Sequence, residues 1–344
     1  MADETRFYEI EPTNENYWRA IILFGRNVAS YKFALAKSLY DLRKHPQEFI
    51  RMDELAPIFA RHIAEHLKQC DKQITSKQSR FLAACRSFNK GEINESKLTE
   101  ETVKLGFQNV IAAFHNVHGT EIPKRFFLDE REKNGGIRLT DQFYRMAEDP
   151  IIHDLNVETE ARWRLVETAW NLNMTPHVVQ VAHDDTTKLL YSLVAQNRRV
   201  TITSSRDALN GYQKGRCFYC FRNISIDTVS VDLGDVDHFF PFKLQYCSSG
   251  KPINGVANLV LACKECNRGT NGKSDRLSSI PLLERLYQRN EYLIKSSHPL
   301  RETLMLQTGV TEPDRRAFLQ SAHTCAKTAL ITTWTPVASG DAVF

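Results

Sequence analysis

Two Cys-x-x-Cys pairs, Cys217-Phe-Tyr-Cys220 and Cys263-Lys-Glu-Cys266, constrain this chain more than any other feature. Each pair points two sulfurs at one place, so the four thiolates suit a single tetrahedral zinc ion. A closed four-cysteine site has no open coordination position and is ordinarily structural. Any chemistry must therefore come from residues between and beside the pairs. Those are Val236-Asp237-His238-Phe-Phe-Pro241, Asn258 ahead of Leu-Val-Leu-Ala, and Asn267 directly after the last cysteine. On the cysteines alone, a plain zinc ribbon that binds DNA or protein fits equally well.

Asp237 and His238 ahead of Pro241, Asn258 before an apolar run, and Asn267 after the second pair together resemble the zinc-containing form of the HNH endonuclease family. The resemblance runs from about residue 204 to about 295 and no further. It implies a ββα-metal fold, two short strands and a helix around one divalent cation, that hydrolyses phosphodiester bonds to a 5′ phosphate and a 3′ hydroxyl. It implies His238 as general base, and Asp237 with the side-chain oxygen of Asn267 as ligands of a catalytic magnesium or manganese ion. Asn258 would bond the backbone near His238 and hold its loop. Asparagine at 267, where the family often has histidine, keeps an oxygen ligand and moves the preference toward magnesium or manganese.

The residue types suit such a reaction, because a neutral imidazole can take a proton near neutral pH and a hard ion accepts phosphate oxygens directly. Singly, each has a plainer role. His238 could be a packed side chain beside Val236 and Phe239, Asn258 a turn residue, and Asn267 a polar residue of the knuckle. Their order between the two cysteine pairs favours the nuclease site.

Length and composition fit a soluble protein of two domains or one large one: 344 residues, 42% hydrophobic, 25% charged. A net charge of +4 permits nucleic-acid binding without arguing for it. Local clustering says more. Arg206, Lys214, Arg216 and Arg222 precede the Asp-His pair, and Lys243, Lys251, Lys264, Arg268, Lys273 and Arg276 follow it. Lys273, Arg276 and Arg268 are candidates for phosphate contact, with a solvated charged surface as the competing explanation. The first residues show no basic leader before an apolar core, and no apolar run approaches about 18 residues, so a cytoplasmic chain with no membrane partner is expected. Cysteines 70, 85, 247 and 325 are scattered, which suits a reducing compartment, with Cys247 expected as a small buried residue.

The expected fold class is α+β, mostly α-helical, in three parts. Residues 1–203 read as a helical accessory domain with small hairpins. It has one long helix over 12–45, helices over 53–69 and 71–88, another capped by Thr99, a hairpin around Asn134-Gly135, a helix over 157–173, and a second hairpin over 178–182 and 189–194. Residues 204–298 form the ββα-metal domain, with a helix over 204–214, a first strand over 227–237, a helix opening at Cys263, and another over 281–294. Residues 299–344 are a C-terminal helical extension whose last ten residues lack periodicity and should be loose.

The sequence does not say what residues 1–203 do. The resemblance implies a DNA-cutting enzyme, DNA because most of the family acts on it, and suggests bacterial defence against phage or restriction, with a protein partner that restrains it. The apolar face over 21–42 leaves a homodimer open. The rival is a non-catalytic zinc module that binds nucleic acid or protein.

Overall fold

The computed structural model describes residues 6–25, 29–75, 78–117, 119–171, 181–194, 198–247, 253, 255–296 and 298–344. The chain divides into two compact units, one of Pro12–Met174 and one of Met1–Glu11 with Thr175–Phe344. The first unit is thus inserted in the chain of the second. Division by composition put the boundary after residue 203 and assigned the N-terminal residues to the helical part. The difference arises because the hairpin before Ser204 and the first described residues pack on the C-terminal unit, a matter of long-range contact that local composition does not report.

The Pro12–Met174 unit is a helical assembly with one small sheet. The expected long helix is two, Asn14–Phe24 and Tyr31–Asp41. Gly25 ends the first: its backbone is extended, and a Cβ there would lie 2.4 Å from the Ile21 carbonyl oxygen, so the close approach requires glycine. Ile21, Phe24, Leu35, Leu39 and Leu42 are buried in the unit's own core, so the face considered for a homodimer is already covered. Asn94, rather than Thr99, caps the Glu95–Glu101 helix by accepting from the Lys97 N–H at 2.9 Å. The Asn134-Gly135 signal does mark a chain reversal, with a helical turn over Arg131–Asn134 and Gly135 at φ 73°. Phe127–Glu130 and Gly136–Leu139 pair antiparallel there, and Phe49–Arg51 adds a third strand. Arg19 and Glu158 form a buried two-bond ion pair at 2.9 Å.

The C-terminal unit is built around small sheets. Val181–Asp184, Leu189–Val194 and Arg198–Ser204 form an antiparallel three-stranded sheet, the last strand not foreseen from the sequence. The helix Ser205–Gln213 follows, capped by the Ser204 hydroxyl. The expected strand over 227–237 shrinks to Asp235–His238, because Val229 and Val231 are 86% and 83% exposed and their alternation has no buried face to serve. Asp235–His238 pairs antiparallel with Leu259–Ala262, with His238 opposite Leu259 and Asp237 opposite Val260. The short helix Lys264–Arg268 completes a strand, strand, helix sequence.

Long-range hydrogen bonds hold this element and the unit around it. Gln213 bonds both the N–H and the carbonyl of Leu261, at 2.8 and 2.9 Å, satisfying backbone that a two-stranded sheet would leave open. From the helix Ile280–Lys295, Arg289 donates to the Leu259 and Ala257 carbonyls and Asn290 to the Ala257 carbonyl. Lys214, in a left-handed backbone conformation after the helix, donates to the carbonyls of Phe7 and Val343, and so ties both described ends of the chain to the unit.

The last residues are not loose. Thr333–Trp334 pairs with Leu277–Ser278, Gly340 donates to the Cys220 carbonyl, Val343 is buried, and Phe344 packs against Tyr212, Phe218 and Phe221. Their signal was missed because irregular backbone carries no periodicity. Of the cysteines outside the two pairs, Cys70 and Cys85 are free and buried, as expected, whereas Cys325 is disulfide-bonded. The side chain of Cys247 and residue Lys251 lie outside the described residues. No described helix is long and apolar enough to cross a membrane.

Candidate functional site

The knuckles converge as their spacing demands. Cys217, Cys220, Cys263 and Cys266 are buried, with their sulfurs within 4.8 Å of one another, and form a cluster that can hold one metal ion. Four zinc–sulfur bonds of about 2.3 Å at tetrahedral angles put sulfurs about 3.8 Å apart. Cys220 and Cys263 are 3.8 Å apart, so the donor set fits zinc. Phe221, at φ 61°, turns the first knuckle, and the Cys266 N–H is directed at the Cys263 sulfur at 3.4 Å. Arg285, unforeseen from the sequence, lies over the Phe218 and Phe221 rings and donates to the Phe218 and Tyr219 carbonyls, bracing the same turn.

His238 ends the Asp235–His238 strand, and Asn258 fixes the chain beyond it. The Phe240 N–H donates to Asn258 Oδ1 at 2.8 Å, and Asn258 Nδ2 donates to the Phe240 carbonyl at 2.9 Å. The Phe239 N–H donates to the Asn258 carbonyl at 2.8 Å. The side chain therefore clasps the backbone two residues past the histidine, with all four groups buried. His238 is itself buried, and its pKa falls to about 4, chiefly because burial disfavours the imidazolium, with Asp185 opposing. Its imidazole is neutral at pH 7 and can accept a proton.

Asp237 and Asn267 do not join it. Successive strand side chains point to opposite faces, so Asp235 and Asp237 share one face and His238 takes the other. The Asp237 carboxylate accepts from Tyr219 Oη at 2.6 Å and pairs with Lys273 Nζ at 3.1 Å, all three groups buried. Burial raises its pKa, while Lys273 and Tyr219 draw it back. Asn267 Nδ2 donates to Asp235 at 3.1 Å. A buried ammonium and a phenol hold the carboxylate that the resemblance assigns to a catalytic ion, and the Asn267 amide nitrogen is turned to Asp235.

The phosphate candidates fare similarly. Lys273 is fully buried on Asp237 and cannot meet a phosphate. Arg276 donates to the Gly272 carbonyl, and Arg268, although 65% exposed, pairs with Asp235 at 2.9 Å. Neighbouring cations are also engaged, Lys243 with Asp275, Arg222 with Glu265 and Lys264 with the Val231 carbonyl. The charge run reads as a paired surface, because the acids interspersed in the sequence fold against it.

What His238 does face was not foreseen. His183 and Asp185, from the Val181–Asp184 strand and the turn after it, lie beside it, with Asp185 Oδ1 at 3.9 Å from His238 Nδ1 and 3.7 Å from His183 Nε2. The His-x-Asp spacing was the available signal, although Asp185 lies in the turn just past the strand. No family model, curated protein or solved structure matches this chain. The chemistry has to be argued from these side chains.

Proposed function

We propose that the C-terminal unit is an HNH-type endonuclease that hydrolyses phosphodiester bonds in DNA, with a structural zinc on Cys217, Cys220, Cys263 and Cys266. The observation that carries this reading is the Asn258 clasp on Phe240, which holds a buried, neutral His238 at the end of a strand between two metal-binding knuckles. A zinc knuckle built only for binding has no need to immobilise the chain after a histidine. In this reading His238 takes the proton of the attacking water and Asn258 positions its loop. Products with a 5′ phosphate and 3′ hydroxyl, and a setting in bacterial defence or restriction under a restraining partner, belong to the proposal on the sequence resemblance alone.

One observation favours the second reading, a non-catalytic zinc module for nucleic acid or protein: Lys273 and Tyr219 occupy Asp237. Supercoiled plasmid and single-stranded DNA, incubated with the protein in magnesium, manganese and chelator, discriminate the two. Metal-dependent nicking lost in His238→Ala supports the nuclease. Cutting that persists in the variant removes His238 as base, and the absence of cutting by both proteins favours the binding module.

A further inference from the structure

We propose a second metal site, formed by His183, Asp185 and His238, that binds a divalent first-row transition ion such as zinc or cobalt in preference to magnesium. The three residues each offer a ligand atom, all within 4.8 Å of one another. Two imidazoles and one carboxylate form the donor set that these borderline ions favour and that leaves coordination positions open, whereas magnesium favours oxygen. The site is distinct from the cysteine cluster and from the Asp237 and Asn267 pair.

The second observation is the state of the imidazoles. The His183 and His238 side chains are 1% and 9% exposed, and the Nε2 atoms of both are buried without a hydrogen-bond partner among the described residues. Buried polar atoms are nearly always satisfied, so the His183 Nε2 that faces Asp185 asks for a partner; His238 faces the same carboxylate through Nδ1, and its unpartnered Nε2 is not the ligand atom. His183 is also oriented as a ligand would be. Its Nδ1 is 2.8 Å from the Ser205 hydroxyl, and a proton on Nδ1 leaves Nε2 with its lone pair toward Asp185. His238 Nδ1 faces the same carboxylate oxygen.

The fit needs a small closure. Bonds of about 2.1 Å at tetrahedral angles put ligand atoms about 3.4 Å apart, a few tenths of an ångström less than the 3.7 and 3.9 Å found. Asp185 can supply the movement, since it sits 44% exposed on a turn whose N–H groups at Thr186 and Thr187 are held by Asp184. Lys188, in a left-handed backbone conformation, now pairs with Asp185 from the solvent side. It is the cation that an entering metal must displace, and its partial exposure lets it turn to solvent, unlike the buried Lys273 on Asp237.

The test is metal binding by the full chain, read independently of DNA cleavage. Cobalt titration of the zinc-loaded protein, followed by the visible bands of a site without thiolate, and metal analysis after gel filtration give the stoichiometry. The expected result is one tightly held ion on the cysteines and one exchangeable ion, which tenfold excess magnesium does not displace. Asp185→Ala, at an exposed turn, and His183→Ala should each weaken the exchangeable ion about 100-fold and leave the cysteine-bound zinc in place, Ser205→Ala should weaken it about 10-fold, and Lys188→Ala should tighten it. A wild-type protein that binds only the cysteine ion overturns the proposal. So does an exchangeable ion unaffected by Asp185→Ala and His183→Ala, or one displaced by magnesium. The ion and the proton of an attacking water compete for the one basic nitrogen of His238, so plasmid cleavage that the exchangeable ion inhibits leaves His238 as the base, whereas cleavage that requires this ion removes it from that role.

Discussion

Asn258→Ala tests the clasp that positions His238. The substitution removes the acceptor for the Phe240 N–H and the donor to the Phe240 carbonyl, bonds of 2.8 and 2.9 Å. Phe240 is only 2% exposed, so water cannot replace either partner. Each buried backbone group left unsatisfied costs about 1–3 kcal/mol, and the pair should cost about 2–4 kcal/mol once the loop relaxes. The bond from the Phe239 N–H to the Asn258 carbonyl is backbone and survives, so the strand pair remains. Native-state hydrogen exchange at Phe240, on zinc-loaded protein, is the direct assay. Protection there should fall about 30-fold to several hundredfold. Asn267→Ala, which loses one bond to a partly exposed carboxylate, should cost no more than about 1 kcal/mol and serves as the control. Protection at Phe240 within threefold of wild type would show that the clasp does not hold this loop.

Two further perturbations follow from buried charge. Lys273→Met leaves the Asp237 carboxylate buried without its cation and should destabilise the C-terminal unit by about 3–5 kcal/mol, while Lys273→Met with Asp237→Asn should recover most of that loss; urea unfolding of the zinc-loaded proteins reads both, and equal losses would refute the pairing. In the helical unit, His115 accepts the Phe126 N–H at 3.0 Å, and burial lowers its pKa from 6.5 to about 4. The folded form binds its proton only near pH 4 and the unfolded form near 6.5, so its contribution is complete above about pH 6.5 and declines by up to about 3 kcal/mol as pH falls to 4. His115→Gln, which keeps an acceptor and does not titrate, should flatten that dependence in pH-stepped denaturation; an unchanged slope would assign it elsewhere.

The four-cysteine cluster, which can hold a metal ion, was legible because its sulfurs sit in two short motifs, and each pair converges through local spacing alone. Asn258 was legible for a related reason: it directly precedes the strand Leu259–Ala262 that pairs with Asp235–His238, and that pairing brings its side chain to the Phe240 backbone. The fate of Asp237 was not. Adjacent in sequence to His238, it points to the opposite face of the strand, where a lysine further along the chain takes its carboxylate. The charge run misled in the same way, since linear clustering does not show that Lys273 turns inward or that Arg268 and Lys243 meet acids.

The sequence by itself determined what is set within a few residues: the cysteine pairs, the short helix that opens at Ser204, and the turn at Asn134-Gly135, while the strand, strand, helix order around the knuckles followed from the resemblance. Tertiary structure decided what depends on segments far apart. It broke the first long helix at Gly25, brought both described ends of the chain to Lys214, packed the aperiodic tail against the first knuckle, and put His183 and Asp185 beside His238. Local propensity and spacing act over one turn of helix or one strand pair. Which buried group neutralises which charge is fixed only when distant elements close on one another and exclude water.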